Sequence, residues 1–280
     1  MGRIGIVVDN TSNIPNKLIN ELGIGCVSLY VIRNNKYVRA SDVCQTKFYD
    51  EIKKSVYIPH TSQPSVADFE SIYKNMINKY DEIISLHISS KLSGTYNSAT
   101  LAAKLIDSEK IHVIDSKTTS WGLGYLAIEI KNIIDKNQYS TKQIIEYAKN
   151  FYKKTKVFFS VGDLNYLYKG GRIGKAKALM GSLLNLKPLI TLENGELSAV
   201  RSLRGNKNLF NEMIERSFDF SGKLKKISLI HTGNLKLAGD LKDMLISRKI
   251  SEDIINISYL DIIIGTHLGP NSVGIITHFE

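Results

Sequence analysis

Through the first 160 residues, short apolar runs alternate with longer stretches in which apolar side chains recur every three or four positions. The runs at residues 4–8, 26–32, 83–88, 111–114 and 157–161 are rich in Ile and Val, a texture that predicts strands. Between them, residues 67–80, 96–106, 122–134 and 141–152 place their apolar side chains on one helical face. Strands alternating with helices predict an α/β domain built on a mainly parallel sheet with helices on its faces. Ligands of such sheets gather beyond the carboxyl ends of the strands. Asp9, the 89–96 loop and Asp115-Ser116 all fall at those ends and are expected to share a rim.

After residue 160 the pattern changes. Residues 164–174 read as a loop or short helix and 179–186 as helix, while 188–192 and 196–202 flank Asn194-Gly195, a strong hairpin signal. A helix at 209–218, a strand at 227–231, a helix at 235–246 and a strand at 254–257 follow. A short apolar segment at 260–264 and a final strand at 273–279 close the chain. The expected organisation is a two-domain α/β protein: residues 1–160, then a C-terminal α/β domain with a mixed sheet at 161–280.

Composition narrows the class. A chain of 280 residues can bury a substantial core, and 43% hydrophobic with 23% charged residues is a globular profile. The formal charge of +10 comes mostly from lysines scattered over predicted helices, which argues against nucleic acid as the partner. Cys26 and Cys44 lie far from any C-x-x-C spacing, and the six histidines show no metal-binding spacing, so no metal site is expected. The apolar start ends too soon, at Asp9, for a signal peptide, and Ile6 stands where myristoylation wants Ser or Thr. No apolar run is long enough to span a bilayer, so a cytoplasmic location is expected.

Candidate chemistry is concentrated in two hydroxyl-rich segments, Thr61-Ser62-Gln63-Pro64-Ser65 and Leu92-Ser93-Gly94-Thr95-Tyr96. Each opens a predicted helix; Ser62, Ser93 and Thr95 are N-cap types, and Pro64 suits a first turn. Helix N-termini carry unpaired N–H groups and positive partial charge, so two of them lined with hydroxyls suit an anion. Thr266-His267-Leu268-Gly269-Pro270 supplies a histidine in a Gly/Pro-bounded turn, where loops carry function. The run Gly170-Gly171-Arg172-Ile173-Gly174-Lys175 is not a P-loop, because Lys169 and Ala176 occupy positions that need Gly and Ser or Thr.

Taken in order, these segments resemble the DegV family. The match comprises Asp9 with Thr11-Ser12-Asn13, the segments at 61–65 and 92–99, Asp115-Ser116, Leu167-Tyr168-Lys169-Gly170-Gly171-Arg172-Ile173, Leu186-Lys187-Pro188 and His267-Leu268-Gly269-Pro270. The resemblance implies a protein that binds one long-chain fatty acid, such as palmitate, in a buried tunnel between its domains. It further implies that the carboxylate is presented to a separate ATP-dependent fatty acid kinase, whose acyl phosphate product feeds phospholipid metabolism. On this resemblance the carrier has no catalytic activity and no cofactor of its own, and transient membrane contact fits its cargo. Carried over by position, Thr61, Ser62, Ser93 and Gly94 hold the carboxylate, and His267 approaches from the second domain. Lys169, Arg172 and Arg201 resemble the basic residues that serve the phosphate or the kinase contact.

The residue types suit that role. Hydroxyls and N–H groups hold a carboxylate without the grip of a buried arginine, which a carrier that hands over its cargo would not want. At roughly 0.8 kcal/mol per methylene, a sixteen-carbon tail gains on the order of 11 kcal/mol before ordering costs, so the head mainly fixes register. Acid-free windows, one holding Lys169, Arg172, Lys175, Lys177 and Lys187 and the other Arg201, Arg204 and Lys207, suit an acidic partner surface. Asn10, Asn13 and Asn271 depart from the family pattern at turns that Asn can sustain, and the wide spacing of Arg201 and Arg204 leaves Arg201 as the safer match. A rival reading from another class is an ester hydrolase using Ser93, His267 and Asp115 or Asp9, although no G-x-S-x-G elbow is present.

Overall fold

The computed structural model describes residues 2–33, 35–55, 57–181 and 186–280. It divides into two compact units, one of Met1–Asp42 and Thr61–Tyr152, the other of Val43–His60 and Lys153–Glu280. The strands are β1 (Ile4–Asp9), β2 (Gly25–Val27), β3 (Tyr30–Arg33), β4 (Lys36–Arg39), β5 (His60–Ser62), β6 (Glu82–His87) and β7 (Ile111–Asp115). They continue as β8 (Thr155–Ser160), β9 (Leu186–Glu193), β10 (Glu196–Arg204), β11 (Leu224–His231), β12 (Ile255–Tyr259) and β13 (Val273–Phe279). The helices are α1 (Asn16–Glu21), α2 (Gln45–Lys54), α3 (Val66–Ile77), α4 (Thr95–Ile106) and α5 (Trp121–Lys136). After them come α6 (Thr141–Asn150), α7 (Asn165–Lys169), α8 (Gly205–Ser217), α9 (Leu235–Ser247) and α10 (Ile262–Leu268).

The first unit is built on a parallel sheet in the order β2-β1-β6-β7. Every residue of β1 is buried, as expected of a parallel strand covered on both faces. Phe69 and Tyr73 of α3 and Ala99 and Ala102 of α4 pack with Val7 and Ile83, while α5 packs against β1 and β6. The single strand expected at 26–32 is two. The Asn10 side chain takes the Leu29 N–H at 2.7 Å, drawing the chain out of the ladder after β2. Strand β3 then joins a separate small sheet in the order β4-β3-β5.

The second unit is a mixed sheet in the order β10-β9-β8-β13-β11-β12, in which β11 and β12 run parallel and the other neighbours antiparallel. The hairpin between β9 and β10 turns through Asn194 (φ 49°) and Gly195 (φ 84°), as the sequence predicts. Leu209, Phe210 and Met213 of α8 and Leu241 and Leu245 of α9 pack on Ile227, Leu229 and Ile275. Because β8 is an interior strand of this sheet, the division falls after Tyr152 rather than at residue 160.

Helix α2 has no counterpart in the predicted elements. It buries Phe48, Tyr49 and Ile52 and belongs to the second unit although flanked in sequence by the first. The Tyr49 hydroxyl donates to the carbonyls of Leu260 (2.8 Å) and Asp261 (3.2 Å), its ring stacks on Tyr259, and Lys53 donates to the Gly233 carbonyl. A Cβ at Gly265 would lie 1.8 Å from the Tyr49 hydroxyl, so only glycine admits this approach. The helix expected over 179–186 is replaced at its described ends. A 3-10 helix closes at Leu179 and β9 opens at Leu186, while residues 182–185 lie outside the described residues.

Candidate functional site

On the rim of the first unit, the two hydroxyl segments meet through Gln63. Its amide Nε2 donates to Ser98 Oγ of α4 at 2.9 Å, and a Cβ at Gly94 would lie 1.9 Å from its Oε1. Gly94 is therefore the residue over which the first segment closes onto the second. Gln63 is not among the residues expected to form the site; a glutamine among hydroxyls just before a helix offers both a donor and an acceptor, which is the signal the sequence holds for it.

Capping differs from the expectation. Ser65, not Ser62, caps α3, in a capping box with Asp68. Pro64 precedes that cap. Ser62 Oγ is thereby spared a capping role and contacts the Gln63 carbonyl at 3.2 Å; Thr61 and Ser62 are half-buried. Gly94 caps α4 without a side chain, and Ser93 Oγ lies 2.8 Å from Thr95 Oγ1 and accepts the Thr95 N–H at 3.3 Å. Thr95 is buried and Ser93 half-buried, so the Ser93 hydroxyl is the accessible member of the pair.

The carboxylates at the neighbouring strand ends are anchors. Asp115 accepts from Ser90 Oγ (2.6 Å), Ser90 N (3.2 Å) and Lys117 N (2.9 Å). Asp9 accepts from the backbone of Thr11 and Ile88. Asp9 also lies 3.1 Å from Nδ1 of the buried His87, and the Ser93 hydroxyl meets that of Thr95.

In the second unit, His267 lies in the last turn of α10 rather than in a loop, because Asp261 caps that helix through the Ile263 N–H. The expected turn begins only at Gly269 (φ 72°), and Asn271 adopts the left-handed geometry anticipated for it (φ 59°). A Cβ at Gly170 would lie 2.4 Å from His267 Nδ1, so the loop after α7 needs glycine there to pack on the imidazole. Arg172 folds back on the same loop, its Nη1 donating to the Gly170 carbonyl at 2.8 Å. Burial pushes the His267 pKa down to about 4, with further lowering by the Arg172 charge and by His60. The imidazole is thus neutral at pH 7, able to donate or accept one hydrogen bond. Lys169, next to Gly170, is exposed.

Arg201 occupies a different place in this unit. It borders an open groove of about 480 Å³ shared with Arg204, Asn208, Asn211, Glu212 and Glu215, and contacts Glu212 at 3.4 Å. Glu212 also holds Arg216 at 2.6 Å. Among the described residues no group of three or more His, Cys, Asp or Glu could hold a metal ion. No helix among them is long and apolar enough to cross a membrane.

Known proteins match this architecture from end to end. A family model described as "Uncharacterised protein, DegV family" matches residues 3–280. A DegV domain-containing protein of Staphylococcus aureus (strain COL) is 32% identical over 281 residues, covering 97% of each chain. Among solved structures, a DegV family protein of Thermus thermophilus described by its fatty acid binding superposes with a TM-score of 0.91 at 31% identity, covering 99% of this chain and 100% of that one. A DegV lipid binding protein of Thermotoga maritima gives 0.86 at 31% identity, covering 99% and 98%. With the hydroxyl segments, the loop after α7 and the His267 turn all falling in one co-linear match, the chain belongs to the DegV family.

Proposed function

We propose that this protein binds one long-chain fatty acid in a tunnel between its two units and presents the carboxylate to a separate ATP-dependent fatty acid kinase. Fatty acid binding is supported by the Thermus thermophilus relative, described by that property at 31% identity over nearly the whole chain. The observation that carries the head-group assignment is the clustering of Ser93, Gly94 and Thr61-Ser62 around Gln63, which leaves half-buried hydroxyls at the start of α4. In this reading Thr61, Ser62, Ser93 and the N–H groups around Gly94 donate to the carboxylate, and neutral His267 adds a donor without a competing charge. Removing its negative charge from water costs less when several donors converge on it, and the helix N-terminus adds favourable potential.

The carrier itself performs no chemistry. Attack on ATP belongs to the kinase, and Lys169, Arg172 and Arg201 offer cationic groups to the acyl phosphate or to the kinase surface. The hydrolase reading needs Asp9 or Asp115 to orient the His267 imidazole, and the commitment of Asp9 to the buried His87 and the Ile88 N–H, and of Asp115 to Ser90, weighs against it. A trapping assay tests the proposal. With palmitate, ATP and a bacterial fatty acid kinase, hydroxylamine should capture acyl hydroxamate only when this protein is present, and the protein with ATP alone should give none. Hydroxamate formation by the kinase at the same rate without this protein would contradict the role.

A further inference from the structure

The interior of the first unit holds a polar chain that the proposed function does not use. Tyr73 OH lies 2.7 Å from Ser85 Oγ, Ser85 Oγ lies 2.6 Å from His87 Nε2, and His87 Nδ1 lies 3.1 Å from Asp9 Oδ2. The order Ser–His–carboxylate has the spacing of a hydrolytic triad, but none of these residues has any solvent exposure. Ser85 lies inside β6, with the Tyr73 hydroxyl against it, so no substrate reaches it. With a neutral imidazole the hydrogen-bond directions are Tyr73 donating to Ser85, Ser85 donating to Nε2, and Nδ1–H donating to Asp9.

Asp9 then collects four donors. Besides His87 Nδ1 they are Thr11 N (3.0 Å), Thr11 Oγ1 (2.5 Å) and the Ile88 N–H (2.9 Å). The last of these leads to the rim. Ile88 is followed by Ser89, whose carbonyl accepts the N–H groups of both Leu92 (2.9 Å) and Ser93 (3.1 Å). On the other side of Ser89, Asp115 holds Ser90 by its backbone and its hydroxyl. The Ser89 carbonyl, and Ser93 with it, is thus fixed between two anchored residues.

We propose that Asp9, oriented by the buried His87–Ser85–Tyr73 chain, is a positioning residue that sets where Ser93 presents its hydroxyl to the ligand's carboxylate. This rests on the carrier reading for the ligand but not for the geometry. Asp9→Asn gives the site one oxygen where four donors need two, so two of them lose their acceptor. Thr11→Val is the milder variant, removing one donor while keeping shape.

The test compares palmitic acid with hexadecanol, which has the same tail and no carboxylate. Asp9→Asn should weaken palmitic acid binding about tenfold, the equivalent of one lost hydrogen bond to a charged group, and leave hexadecanol within about twofold. Thr11→Val should shift the same ratio in the same direction by a smaller factor, and it decides the matter if Asp9→Asn does not fold. Equal loss for both ligands, or no loss for either, overturns the proposal, since a merely structural role cannot tell the heads apart. Should the wild-type chain bind neither ligand, the carrier reading fails. Amide exchange of residues 88–93 then decides the positioning claim: faster exchange in Thr11→Val supports it, and unchanged exchange overturns it.

Discussion

Gly94 shows how one missing side chain can assemble a site. The Gln63 amide lies where a Cβ would stand, so Gly94→Ala must push the glutamine off Ser98. The expected cost is about 1 kcal/mol, one hydrogen bond at a partly buried position. In a Gln63→Ala background the same change should cost almost nothing, because the obstruction is gone; urea melts of the four proteins give the coupling. His267 makes a second prediction at this scale. Its folded-state value of about 4 lies below the ordinary 6.5, so between those values the unfolded chain binds the extra proton. Stability from this group is therefore complete above pH 6.5 and is lost as pH falls to about 4, by up to about 3 kcal/mol. His267→Gln should flatten that slope in melts recorded across the same range.

Among the elements, α2 departs furthest from what the sequence announces. Its Phe48, Tyr49 and Ile52 form a short apolar stripe among Lys, Glu and Asp, too brief to stand out as a helix that docks elsewhere. What holds it is tertiary. Tyr49→Phe should destabilise the second unit by roughly 1–2 kcal/mol, since two carbonyls lose a donor while the ring stack on Tyr259 remains. Denaturant unfolding followed by tyrosine fluorescence checks it. The long elements are legible because their periodicity spans many residues: β1, α4, α5 and the hairpin at Asn194-Gly195 all form where the pattern places them. The break after β2 is not, because it depends on an Asn10 side chain remote in sequence from Leu29. The site divides in the same way. The segments at 61–65 and 92–96 are legible from hydroxyl content. The use of Ser65 as the cap, the bridge by Gln63 and the packing of Gly170 on His267 are not, since each joins residues the sequence does not pair.

For the molecule as a whole, two α/β units of different sheet type, joined in one family match over residues 3–280, make a scaffold shared with proteins described by fatty acid or lipid binding. The formal charge of +10 is concentrated in part in acid-free windows of the second unit, but local pairing tempers it: Lys175 meets Glu196 and Arg201 meets Glu212. The cations proposed for the kinase are therefore partly committed at rest, and exposed pairs of this kind hold weakly enough to be exchanged. Mass spectrometry of a denaturing extract of the purified protein, before and after incubation with palmitate, decides whether the chain carries a fatty acid. About one long-chain fatty acid per chain is expected, retained through purification by tail burial at roughly 0.8 kcal/mol per methylene. Finding none in the purified protein, and none retained after palmitate is offered, would contradict it.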